Sequence, residues 1–199
     1  MRASRFVVLL ALFACLVPSR AGADWLVTPF IGLKFAGETS FADLEEGAGV
    51  TKLTWGGSVG FLSDGILGVE MDFGHSPGFF ENERHMPLVA HSNVTTLTGN
   101  VLVALPLSVT RESLRPYALG GLGLMHASIE YLANPFGVDA NLLGLTIGGG
   151  VIGFVTDRTG LRFELRHFRN ITNEDESSAS LGSTHLSFWR ATAGVTFRY

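Results

Sequence analysis

Apolar and polar side chains alternate with a period of two along most of the chain after residue 24, the spacing that sends successive side chains to opposite faces of a β-strand. The clearest case places Leu161, Phe163 and Leu165 between Arg162, Glu164 and Arg166. Trp25 to Phe35 puts Trp25, Val27, Pro29, Ile31, Leu33 and Phe35 on one face and Lys34 on the other. In Lys52 to Leu62, the residues Leu53, Trp55, Val59 and Phe61 oppose Lys52, Thr54 and Ser58. In Ile66 to Phe73, Leu67, Val69, Met71 and Phe73 oppose Glu70 and Asp72. The last stretch sets Trp189, Ala191, Val195, Phe197 and Tyr199 against Arg190, Thr192, Thr196 and Arg198. Alternation is weaker from Asn93 to Leu105, and glycine with apolar residues on both faces blurs it in Pro116 to Glu130 and Asn141 to Val155. Eight strands are predicted.

The connections carry a pattern of their own, in which long segments alternate with shorter ones. Ala36 to Thr51, Gly74 to Ser92 and Arg169 to His185 are long, Tyr131 to Ala140 is a further connection at that end, and Pro106 to Arg115 is intermediate. Ser63-Asp64-Gly65 and Asp157-Arg158-Thr159-Gly160 read as tight turns. An even number of strands joined this way predicts an all-β fold, an eight-stranded antiparallel up-and-down barrel with both chain ends on the short-turn side. Pairing of the first strand with the last removes the open edge.

Which face points outward decides the class. Ten formal charges fall within the strands: Lys34, Lys52, Glu70, Asp72, Glu130, Arg162, Glu164, Arg166, Arg190 and Arg198. They lie opposite the apolar face and carry both signs, so they can pair inside a cylinder just wide enough to be filled by side chains. Aromatic residues near strand ends, Trp25, Phe35, Phe61, Phe73, Tyr117, Trp189, Phe197 and Tyr199, are candidates for interfacial girdles. A soluble barrel would turn the same pattern inside out.

The N-terminus favours the membrane version. Arg2 and Arg5, the apolar run Phe6 to Val17, and Ala21-Gly22-Ala23 form the three parts of a secretory signal. The expected division is 1–23 as signal peptide and 24–199 as barrel, with no transmembrane helix. Cys15 is the only cysteine. Leu12-Phe13-Ala14-Cys15 departs from a lipoprotein processing site at Phe13, so Cys15 is expected to leave with the signal. Removing Arg2, Arg5 and Arg20 and no acid takes the formal charge from −4 to −7, which gives no footing for a nucleic-acid partner. With 25 glycines, 15 phenylalanines and 46% hydrophobic residues but no helix-length apolar block, the composition suits strands with one wet and one greasy side.

The segments Trp25-Leu-Val-Thr-Pro-Phe-Ile-Gly32, Gly65 to Phe80, Arg115-Pro-Tyr-Ala-Leu-Gly-Gly-Leu-Gly123 and Phe188 to Tyr199 resemble the outer-membrane β-barrel family related to the OmpA transmembrane domain. The resemblance covers nearly the whole mature chain. It implies a place in the outer membrane of a Gram-negative cell, contact with outer-membrane lipid and lipopolysaccharide, and recognition of the final strand by the barrel-insertion machinery. A monomer without cofactor is expected. The fold hosts adhesins, channels and enzymes alike, so it fixes no activity.

Residues with chemistry are few. His167, in Arg166-His167-Phe168-Arg169-Asn170, is similar to the His-x-Ser-Asn element of lipid A deacylases, but Arg169 stands at the serine position and a guanidinium cannot be the nucleophile. Glu81, Glu83, His85 and His91 match no tight metal motif. Glu174, Asp175 and Glu176 read as a hydrated acidic loop. Gly120, Gly121, Gly123, Gly148, Gly149 and Gly150 precede no helix and so form no phosphate loop; they suit tight curvature. The expectation is a non-enzymatic barrel with a structural or surface-interaction role, the alternatives being a narrow channel and a deacylase-like esterase.

Overall fold

The computed structural model describes residues 23–39, 48–80, 89–110, 114–131, 134–171 and 185–199. Eight strands follow in chain order: β1 (Ala23–Thr39), β2 (Lys52–Ser63), β3 (Leu67–Pro77), β4 (Val89–Ala104), β5 (Arg115–Tyr131), β6 (Asn134–Phe154), β7 (Thr159–Asn170) and β8 (Leu186–Arg198). Each pairs antiparallel with its neighbours, and β8 pairs with β1 to close the barrel. Reciprocal backbone bonds between Trp25 and Tyr199, at 3.2 and 3.0 Å, seal the seam. Closure gives every strand a partner on both sides.

The faces separate as the alternation requires. Leu67, Val69, Met71 and Phe73 of β3 point outward and are exposed, while Glu70 and Asp72 between them are buried inside. Following the register from Val27 through Val59, Met71, Gly99, Leu122, Leu145, Arg169 and Ser187 returns to β1 at Glu38. The ladder therefore climbs as it circles, and the strands tilt. A bulge between Phe35 and Glu38 supplies one extra residue on β1, and Ala36 takes it up with a φ of 48°.

The strands outrun their expected limits at the long-loop end. β3 continues to Pro77, β4 begins at Val89 and β6 at Asn134. The segment Tyr131 to Ala140, read from sequence as a connection, is mostly paired: Ser128 faces Asp139 and Tyr131 faces Asn134. Beyond the apolar band neither face needs to be greasy, so hydrophobic alternation vanishes while the hydrogen-bond ladder goes on. The β4–β5 connection, read from sequence as intermediate in length, contains one helical turn, α1 (Leu107–Thr110). Residues 1–22, with the predicted signal and Cys15, lie outside the described residues, as do Glu81, Glu83, His85, Glu174, Asp175, Glu176 and the side chains of His91 and Glu130.

Candidate functional site

Among the described residues, buried charge is concentrated in the lumen, and it is stratified. At its centre Arg162 bridges Glu70 and Glu164, Arg166 bridges the same two carboxylates, and Arg190 Nη2 reaches Asp72 Oδ1 at 2.6 Å. Arg166 Nη2 also lies 3.5 Å from Asp72 Oδ2. The hydroxyl of Tyr117 donates to Glu164 Oε2 at 2.6 Å and accepts from Arg162 Nε at 2.6 Å, and Arg162 Nη1 donates to Ser58 Oγ at 3.2 Å. Three guanidinium groups thus meet three carboxylates, so the layer is neutral as a whole. Charges buried this deeply persist only when paired and hydrogen-bonded.

Apolar layers close the lumen on both sides of this network. Toward the short turns, Leu26, Leu62, Leu102, Leu119 and Ile152 pack with the ring of Tyr117. Toward the long loops, Phe79, Phe80, Val94, Met125, Phe168 and Phe188 fill the bore. Phe168 and Phe188 stack with centroids 4.9 Å apart, and Phe79 meets Phe188 edge-on at 5.1 Å. Lys34 holds this cap down: its Nζ donates to the carbonyls of Ala48 at 2.7 Å and Phe79 at 2.9 Å and sits 4.0 Å above the Phe79 ring. The gap left beside Thr28, Ser58, Asp72 and Arg162 is too small for a water molecule.

Seven of the ten charges read from sequence, Lys34, Glu70, Asp72, Arg162, Glu164, Arg166 and Arg190, lie buried in the lumen. Lys52 and Arg198 are half-exposed at opposite rims, where the chain ends its run inside the wall. Arg198 Nε donates to Asp157 O at 2.7 Å, and its Nη1 lies 3.5 Å from Asp24. Of the aromatics, Trp25, Phe61, Phe73, Trp189, Phe197 and Tyr199 are exposed on the outer face and Phe35 is half-buried. Tyr117 corrects the girdle assignment: it faces inward at 6% exposure, because its hydroxyl is a member of the ion network.

Sequence reasoning also missed Arg115, whose guanidinium donates to the carbonyls of Ser63, Gly65 and Leu105 at 2.6, 2.6 and 2.9 Å and so staples two turns together. The apolar inner layers were equally hidden, since Phe168 shares the inward parity of Arg166 and nothing local marks an apolar ring for a charged bore. Trp55 belongs with the outer aromatics, edge-on to Phe73 at 6.4 Å.

His167 faces outward, its ring 4.8 Å from that of Trp189. The register does bring Ser187 opposite Arg169 and Glu38 opposite Ser187, two residues above the His167–Trp189 pair. Ser187 is buried, however, and the imidazole is turned onto Trp189, so nucleophile and base are not presented together. Among the described residues no group of three or more His, Cys, Asp or Glu forms a metal-binding set.

A closed wall of eight strands, apolar outside and charged inside, crosses a membrane with strands rather than helices; no helix among the described residues is long and apolar enough to do so. It defines an integral outer-membrane β-barrel. Residues 7–198 match the model of the outer membrane protein beta-barrel domain, and the chain belongs to that family. Its place is the cell outer membrane. Among solved structures, Neisserial surface protein A is similar at a TM-score of 0.63 and 15% identity, covering 89% of this chain and 99% of that one. The N-terminal β-barrel domain of Pseudomonas aeruginosa OprF gives 0.55 and 18%, covering 90% and 100%. Ail, the attachment invasion locus protein of Yersinia pestis, in complex with the heparin analogue sucrose octasulfate, gives 0.51 and 13%, covering 90% and 100%. At these identities the likeness is one of fold. No curated protein sequence matches the chain.

Proposed function

We propose that this barrel is a plugged, non-enzymatic element of the outer membrane whose role is structural or lies in contacts made by its loops. The observation that carries this reading is the stratified lumen, in which, among the described residues, an ion-paired layer lies between two apolar ones, a packing that supports a closed bore over an open one. The loop segments 40–47, 81–88 and 172–184 contain eight acids, Asp43, Glu45, Glu46, Glu81, Glu83, Glu174, Asp175 and Glu176, against the single Arg84. Net charge of that sign in these segments favours a basic partner over a sulfated one such as the sucrose octasulfate in the Ail complex. Strand β8, with Trp189 and Phe197 on its outer face, is the segment we assign to recognition by the insertion machinery.

Planar-bilayer recording of the purified barrel tests the plug. No current steps are expected, and steady, reproducible unitary conductance overturns the reading in favour of a narrow channel. Incubation with lipid A tests the non-enzymatic part: release of acyl chains that disappears in His167→Ala would overturn it.

A further inference from the structure

Among the described residues, the wall of the barrel forks between β2 and β3. The β2–β3 ladder ends at the pair Trp55–His75. Above it Lys52, Leu53 and Thr54 continue to pair with β1 alone, while Ser76 and Pro77 continue to pair with β4 alone. The last tie across the fork is a bond from Thr54 Oγ1 to the carbonyl of His75 at 3.1 Å. Between the two prongs lies an open cleft of about 440 Å³, with Lys52 and Leu53 on one side and His75, Pro77, Ser92 and Asn93 on the other. Pro77 falls where a strand edge has lost its partner, the position at which a missing N–H is least costly.

Two arguments identify what the cleft takes. The first is depth. Unpaired backbone groups are not tolerated in hydrocarbon, so the fork must stand at or above the head-group level. The half-exposed Trp55, with its ring 5.4 Å from His75 and outward Leu53 and Phe73 beside it, marks the same boundary. The second is charge. Lys52, Lys34, Arg190 and Arg166 are consecutive cross-strand neighbours on β2, β1, β8 and β7. Like charges set opposite one another repel. Asp72 and the two glutamates neutralise the Arg190–Arg166 end, whereas the bonds of Lys34 go to two carbonyls and, among the described residues, no acid lines the cleft. The positive end of the row therefore faces the fork.

We infer that the β2–β3 fork is a binding site for a phosphate group on the sugar head group of an outer-leaflet glycolipid. Lys52 supplies the cation and Asn93 an amide donor. The acyl chains lie along the apolar wall of Leu53, Trp55 and Phe73. The inference uses the barrel's place in the outer membrane and does not depend on whether the lumen conducts.

Native mass spectrometry of the refolded, detergent-solubilised barrel tests it, with bisphosphorylated lipid A, enzymatically dephosphorylated lipid A and inorganic phosphate as probes. The phosphorylated lipid is expected to bind at least about tenfold more tightly than the dephosphorylated one, a difference of about 1.4 kcal/mol. Lys52→Gln is expected to abolish the difference, and Arg169→Gln, on the outer face of β7, to leave it intact. Heat-modifiable gel migration reports folding; should Lys52→Gln fail to fold, Asn93→Leu on the opposite prong takes its place and is expected to weaken the preference severalfold. Equal binding of both lipids, an unchanged preference in the variant, or inorganic phosphate competing as well as the phosphorylated lipid would each overturn the assignment.

Discussion

Arg190 on β8 reaches across the bore to Asp72 on β3, Nη2 to Oδ1 at 2.6 Å, while its guanidinium lies between the rings of Phe30 and Phe168 at 4.8 and 4.9 Å. The aromatic faces add cation–π attraction but cannot replace the counter-charge. Asp72→Asn is therefore expected to cost about 3–5 kcal/mol, the usual penalty for leaving a buried charge without its partner. The double variant Asp72→Leu with Arg190→Met is expected to cost less than the sum of the two single changes, because it removes both desolvation penalties together. Urea unfolding of the barrel in lipid vesicles measures all four corners of the cycle, and additivity would mean the pair is not coupled.

Two glycines that look alike in sequence differ in what surrounds them. A Cβ on Gly123, facing the neighbouring strand, would lie 2.1 Å from the carbonyl oxygen of Leu97 and 2.5 Å from the Cα of Thr98, whereas one on Gly99 meets nothing within 4 Å. Backbone cannot step aside as a side-chain tip can. Gly123→Ala is expected to destabilise by about 1–3 kcal/mol through overpacking, and Gly99→Ala to be neutral or slightly stabilising through the loss of unfolded-state entropy. The same vesicle unfolding assay compares them, and equal effects would contradict the packing.

The outer face predicts an asymmetry of a different kind. Met71 lies in the middle of the exposed band Leu67, Val69, Met71 and Phe73, and arginine there must place its charge in hydrocarbon. Met71→Arg is expected to lose about 2–4 kcal/mol. Thr192, half-buried on the inner face of β8, should accept serine with little change. Folded yield after dilution into vesicles, read by gel migration, separates the two outcomes.

Strand number, closure and the division into two faces were legible because period two is imposed by the pleat and the solvent boundary by the bilayer. Glu70 with Asp72, and Arg162, Glu164 and Arg166, announced an inner face by sharing one parity. What the sequence withheld depends on register. Tyr117 reads as a girdle residue until β5 and β7 are set on either side of β6, where only Gly150 separates Tyr117 from Glu164 and the hydroxyl falls between Glu164 and Arg162. Phe168 and Phe188 share the inward parity of Arg166 and Arg190, yet nothing local says that an apolar ring belongs in a charged bore. The β2–β3 fork was hidden too, since a ladder's end is a property of two strands and neither Lys52 nor Pro77 signals it alone.

The layering of the lumen implies that sealing and stability belong to different residues. Phe188 is buried in the upper cap, against Phe79 and Phe168, but the ion layer of Arg166, Arg190 and Asp72 lies below it. Phe188→Ala removes a buried aromatic ring and is expected to cost about 3–5 kcal/mol. Bilayer recordings of the same variant are nonetheless expected to stay silent, because the ion-paired layer and the lower apolar layer of Leu26, Leu62 and Ile152 still close the bore. Loss of stability with no current supports two independent seals, whereas current steps in Phe188→Ala would mean that the cap alone holds the lumen shut.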